Sequence, residues 1–277
     1  MISALARAVR ADGEPVAARR ASGSDLAFAG ICALLFAASV AATLAQSVSM
    51  SAMGELPMPG GGSMSMLWMP TCGRTWARAA ASFAGMWIVM MAAMMLPSLA
   101  QMLARYRETI GSQVRETQLA LLTLRVAAGY WAVWIACGAA VFALGAALAT
   151  LELRSATLAR AVPFAAGLVV LLAGALQSSA WKARHLACCR AAPCVAADAA
   201  TAWRHGMHIG VHCGCCCAGL TAMLLAVGMT DLRMMAAVTA AINAERLLPD
   251  GARIARMVGA AAIGGAIVLI AHAAAVG

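Results

Sequence analysis

Residues 206 to 229 read GMHIGVHCGCCCAGLTAMLLAVGM, with no Asp, Glu, Lys or Arg in the run. A segment of this length and apolarity matches the roughly 20 residues that cross a hydrocarbon core about 30 Å thick. Further apolar runs lie at about 27–46, 81–103, 119–149, 161–180, 232–248 and 257–275, so the fold class is an all-α polytopic membrane helix bundle of about seven transmembrane helices. The run at 232–248 is short, which leaves six helices plus a partly re-entrant segment as the other count. Composition agrees: 63% of the 277 residues are hydrophobic, 11% are charged and the mean hydropathy is +0.84. Soluble domains carry about a quarter of charged residues.

The basic residues set the orientation. Arg7, Arg10, Arg19 and Arg20 precede the first run, and Arg105, Arg107, Arg115 and Arg125 follow the second. Lys182, Arg184, Arg190 and Arg204 follow the fourth, and Arg246, Arg253 and Arg256 follow the sixth. Only Arg74, Arg78, Arg154, Arg160 and Arg233 fall on the other side. Cytoplasmic loops collect Lys and Arg, so the topology is N-in/C-out in a bacterial inner membrane, with the bilayer as the first partner. The net charge of +9 is spread between apolar runs instead of forming a basic face with interleaved aromatics, so no nucleic acid is expected as a partner.

Residues 1–25 form a basic cytoplasmic tail, without a small-residue cleavage site after the first apolar run, so the anchor is expected to be uncleaved. Residues 26–277 form one transmembrane domain with two notable connections. The periplasmic one, 47–80, holds Pro57, Pro59 and Gly60 to Gly62 beside Met50, Met53, Met58, Met64, Met66 and Met69, a composition that buries no core. The cytoplasmic one, 181–205, is rich in Cys and His.

Ten Cys, five His and 19 Met are an unusual supply of soft and borderline ligands, favouring copper(I), with zinc as the other candidate. Thiols are kept reduced in the cytoplasm, so close cysteines there point to metal or redox work before structural disulfides. With His205 at zero on a helical wheel, His208 falls near about −60°, His212 −20°, Cys215 −80°, Cys216 +20° and Met223 0°. This stripe descends roughly 14 Å from Gly206 to mid-membrane. His185, Cys188 and Cys189 share a face if their segment is helical, and the loop can fold them onto the stripe for four-coordinate closure. In the second run Met86, Met90 and Met94 line one face, and thioethers prefer copper(I).

Each feature also has a plainer reading. Cys suits close helix packing, Met fills irregular cores, and a His near a helix end can bond backbone or water. Pro97 should kink the second helix. Gln177 and Asn243 are expected to face the bundle interior, whereas Glu245 and Arg246 read as snorkelled at the inner boundary. Tyr130, Trp131 and Trp134 read as packing groups or interfacial anchors.

The stretches 86–97, 130–134 and 177–190, and His212 to Gly219 with Gly228 and Met229, resemble an uncharacterised bacterial family, domain of unknown function 2182, described as predicted metal-binding integral membrane proteins. In its Cys-Leu-x-x-Cys-Arg element, Leu186, Cys189 and Arg190 match after Lys182, and His185 replaces the first Cys. In its Cys-x-Gly-Cys-Cys-Trp element, Cys213, Cys216 and Cys217 match, while Cys215 replaces the Gly and Ala218 the Trp. The resemblance implies a metal-binding membrane protein with ligands among these residues.

The expected function is handling of copper(I) or another soft metal, by transport or by delivery to a metallochaperone or metalloenzyme partner. No catalytic residues are assigned, and no P-loop or phosphorylated-Asp motif is visible. The alternatives are a membrane thiol oxidoreductase and a scaffold subunit with packing cysteines. The first lacks a periplasmic Cys-x-x-Cys, since Cys72 is the only clear thiol there, and neighbouring cysteines bridge poorly.

Overall fold

A computed structural model describes residues 23–52, 56–57, 63–64, 75–190, 197–229 and 231–276. The basic tail before Gly23, Met53, Met58, Met66, Met69, Cys72, Pro193 and Cys194 lie outside these residues. The described chain is all-α apart from a two-residue antiparallel pair, β1 (Leu56–Pro57) with β2 (Ser63–Met64). Its eight helices are α1 (Gly23–Ala52), α2 (Trp76–Ile110), α3 (Glu116–Arg154), α4 (Ala156–Gln177), α5 (Ala180–Arg190), α6 (Ala199–Val227), α7 (Leu232–Leu247) and α8 (Gly251–Val276).

Six of them, all except α5 and α7, are long and apolar enough to cross a membrane. Each falls on an expected run and starts a few residues before it, with α4 and α6 ending two or three residues before the expected end. The run expected at 232–248 is also a helix, but α7 has 16 residues, about 24 Å at 1.5 Å per residue, and carries Arg233, Glu245 and Arg246. It falls short of the roughly 30 Å core.

α2 and α6 form the centre, with 44% of each apolar window buried, against none in α1 and 17% in α3 and α8. The outer helices turn large apolar side chains outward, among them Leu34, Leu124, Leu144, Leu172 and Val268. Such a belt is far larger than a soluble monomer exposes, and lipid is the solvent that fits it. The protein is an integral membrane helix bundle.

The described parts of the Cys/His connection, 181–190 and 197–205, are more ordered than their polarity suggests. Ser179 Oγ accepts the Lys182 amide at 3.1 Å to start α5, and Asp198 accepts the Thr201 amide at 2.9 Å to start α6. Both are N-caps that satisfy otherwise orphaned first-turn donors. The hydrogen bonds from Thr201 hold the Asp198 carboxyl below its usual range. A hydropathy window misses these turns because Trp203, Arg204 and His205 are polar or interfacial. At the other end of α6, Gly228 has φ of 131°, a conformation that side chains with a Cβ rarely adopt, and the Asp231 cap then starts α7.

Small residues bring α3 and α6 together. A Cβ on Gly206 would run into the carbonyl of Val126, and one on Gly210 would come within 3.0 Å of the Val133 side chain. Because the obstacle at Gly206 is backbone, Gly206→Val should force the helices apart and cost about 1–3 kcal/mol or more. Thermal denaturation in detergent would read this as a lowered midpoint; an unchanged midpoint would show that the contact is not needed.

Candidate metal centre

Charged groups frame the centre. Lys182 of α5 and Glu245 of α7 are 2% and 1% exposed, and their Nζ and Oε2 atoms are 2.6 Å apart. Gln177 Nε2 donates to the other carboxylate oxygen at 2.7 Å, and Lys182 Nζ also donates to the Cys216 carbonyl at 2.6 Å. Arg246 donates to the Cys213 carbonyl at 3.3 Å, Cys217 Sγ at 3.2 Å and Ser98 Oγ at 3.4 Å. Two cations from α5 and α7 therefore grip α6 at the turn that carries its cysteines. This corrects the snorkelled reading of Glu245 and Arg246: both side chains turn into the bundle, where Lys182 and an α6 carbonyl supply the partners that water would supply at an interface. Gln177 is buried as expected, and Asn243 is half-buried, bonding the Met94 carbonyl near Pro97 at 3.2 Å.

Inside this frame lie four buried thiols. Cys189 of α5 packs with Leu186 and Cys216 of α6 in one buried cluster, and Cys217 Sγ, one turn along α6 from Cys213, accepts from Arg246. Cys213 Sγ lies 3.0 Å from the hydroxyl of Tyr130. Tyr130, fully buried on α3, thus borders the centre, whereas Trp134 packs in the core and accepts the Trp87 indole N–H on its carbonyl at 2.9 Å. Met102 of α2 packs against Leu186, Cys189 and Cys216.

Three imidazoles lie one turn away. His185 Nδ1 is 2.9 Å from His212 Nδ1, and His212 Nε2 is 3.0 Å from His208 Nε2. A neutral His212 can donate from one ring nitrogen and accept on the other, so one tautomer satisfies both contacts. His208 is exposed, and His212 and His185 are half-buried. His185 and Cys189 are four residues apart on α5, as are His212 and Cys216 on α6. The two helices therefore face each other in two matched layers, imidazoles over thiols.

The other expected ligands are elsewhere. His205 stacks on Tyr106 with ring centroids 5.7 Å apart, Cys188 is exposed, and Cys215 is half-buried near Cys137 of α3. Met90, Met94 and Met223 are core residues with Met86 packed at their edge. The stripe of the helical wheel is divided among α2, α3 and α5, because several helices surround α6. Among the described residues no three or more His, Cys, Asp or Glu side chains converge to hold an ion, so the four-coordinate closure expected of His185, Cys188 and Cys189 with the stripe is not formed. The donors meet in pairs instead.

Sequence reasoning missed Lys182, Tyr130 and Met102 as neighbours of the thiols. A Lys within an otherwise ligand-rich segment was the available signal for the first.

A family model described as "PpoB2: Copper chaperone" matches residues 84–269, most of the chain and all of the centre. No curated protein and no solved structure matches. The match overturns the resemblance to domain of unknown function 2182, a separate family. The short elements that carried the resemblance fit only with substitutions at His185, Cys215 and Ala218, whereas the match is continuous.

Proposed function

The chain belongs to the PpoB2 copper-chaperone family, and from that membership we propose that it takes up copper(I) at the His185–His212–His208 chain and holds it at the Cys189–Cys216 pair for delivery to a partner protein. The observation that carries this reading is the pair of matched layers, the half-buried imidazoles of His185 and His212 one helical turn from the buried thiols of Cys189 and Cys216 on α5 and α6. Copper(I) favours soft donors and can be held by as few as two of them, so pairs of side chains suit it better than they suit tetrahedral zinc. Imidazole binds it less firmly than thiolate, which sets the direction of exchange inward.

The bundle is oriented N-in/C-out in a bacterial inner membrane, with α7, short of the core by itself, completing a seventh crossing together with its flanking residues. The charged ends support this, because Asp25 pairs with Arg107, Arg105 donates to the Arg190 carbonyl, and Arg190 donates to the carbonyls of Leu248 and Pro249. The start of α1 and the ends of α2, α5 and α7 therefore share one basic side, the cytoplasmic one.

Copper(I) loading of the full chain in nanodiscs, under reducing conditions, tests the reading. The triple variant H185A/H208A/H212A should load more slowly than the wild type and reach the same final copper content. Equal rates, or absence of copper from the wild type, would remove the imidazole entry route or the function itself.

A further inference from the structure

One charge at the centre has no counter-charge. Lys182 and Glu245 neutralise each other. Arg246, 7% exposed, faces no carboxylate among the described residues and spends its donors on Cys217 Sγ, a carbonyl and a hydroxyl. Its Nε has no hydrogen-bond partner among the described residues. A lone cation at this depth is costly, and such residues in membrane proteins are paired or functional. Among the groups it bonds, the Cys217 thiol, next in sequence to Cys216, is the one able to take a negative charge.

We propose that Arg246 determines metal selectivity: its single positive charge offsets the single negative charge that a monovalent soft ion retains when two thiolates hold it. This rests on the reading of Cys189 and Cys216 as the copper pair. One ion of charge +1 and two thiolates of charge −1 leave −1, and Arg246 brings the centre to zero. A divalent ion on the same two thiolates gives a neutral complex and leaves Arg246 uncompensated. To restore balance it would need a third thiolate, and no three ligands converge among the described residues. The neighbouring Lys182–Glu245 pair contributes no net charge, so the selecting charge is that of Arg246 alone.

Silver(I) and cadmium(II), both soft and redox-inert, isolate charge from ligand preference. The full chain in nanodiscs should retain silver(I) against cadmium(II) in direct competition. Arg246→Gln should narrow that preference by about tenfold or more, the scale of a charge-assisted contact, while Arg246→Lys keeps it. A purely packing role for Arg246 would weaken both ions equally and leave the ratio unchanged, which would overturn the proposal. Wild-type protein that holds cadmium(II) as firmly as silver(I) would also overturn it, with no variant needing to fold. If the wild type retains copper(I) and silver(I) but the ratio ignores residue 246, this inference fails alone. If it retains neither, the copper reading fails with it.

Discussion

Lys182→Met is expected to destabilise the bundle by about 3–5 kcal/mol, because it leaves the Glu245 carboxylate buried with only Gln177 to bond. The loss is the desolvation of an unpartnered charge more than the attraction of the pair itself. The double variant K182M/E245L should therefore recover most of the stability, since replacing both partners of a buried ion pair by apolar groups is often neutral or favourable. Thermal denaturation of the wild type, both single variants and the double closes a double-mutant cycle with a large coupling term. A single variant no less stable than the double would show that Glu245 finds another partner or protonates at little cost. The double variant also loses the Lys182 bond to the Cys216 carbonyl, so its recovery is expected to be incomplete.

How much of this was readable beforehand depends on the kind of signal. The runs of apolar residues locate every long helix, because the bilayer imposes one length and one polarity on a spanning segment whatever surrounds it. The i to i+4 steps from His185 to Cys189 and from His212 to Cys216 are equally local and can be read from helical geometry. What the sequence hides is which helix each stripe faces. His205 and His212 lie within about 20° on a wheel, yet one stacks on Tyr106 of α2 and the other meets His185 of α5, since the face of α6 is shared by several neighbours. Glu245 and Arg246 mislead for the same reason. Near a short helix's end they look interfacial, and only the approach of Lys182 and the α6 carbonyls makes their burial tolerable.

The largest functional effect is expected at the thiols. Cys189→Ser and Cys216→Ser exchange a soft donor for a hard one of similar size, so packing around Leu186 and Met102 should survive while copper(I) is lost. Each change should weaken retention on the order of a hundredfold in competition with a soluble copper(I) chelator, and the double variant should not go much further, because two ligands acting on one ion fail together. Cys188→Ser provides the control. Cys188 adjoins Cys189 in sequence but is exposed, so its loss should leave retention unchanged. Equal losses at 188 and 189 would mean that copper is held at the surface of α5 and not between α5 and α6. Wild-type protein that binds no copper but passes electrons from its thiols to a quinone would replace the chaperone reading with the oxidoreductase one. The matched His/Cys layers favour the first outcome, since electron transfer between thiols has no need of imidazoles one turn above both sulfurs.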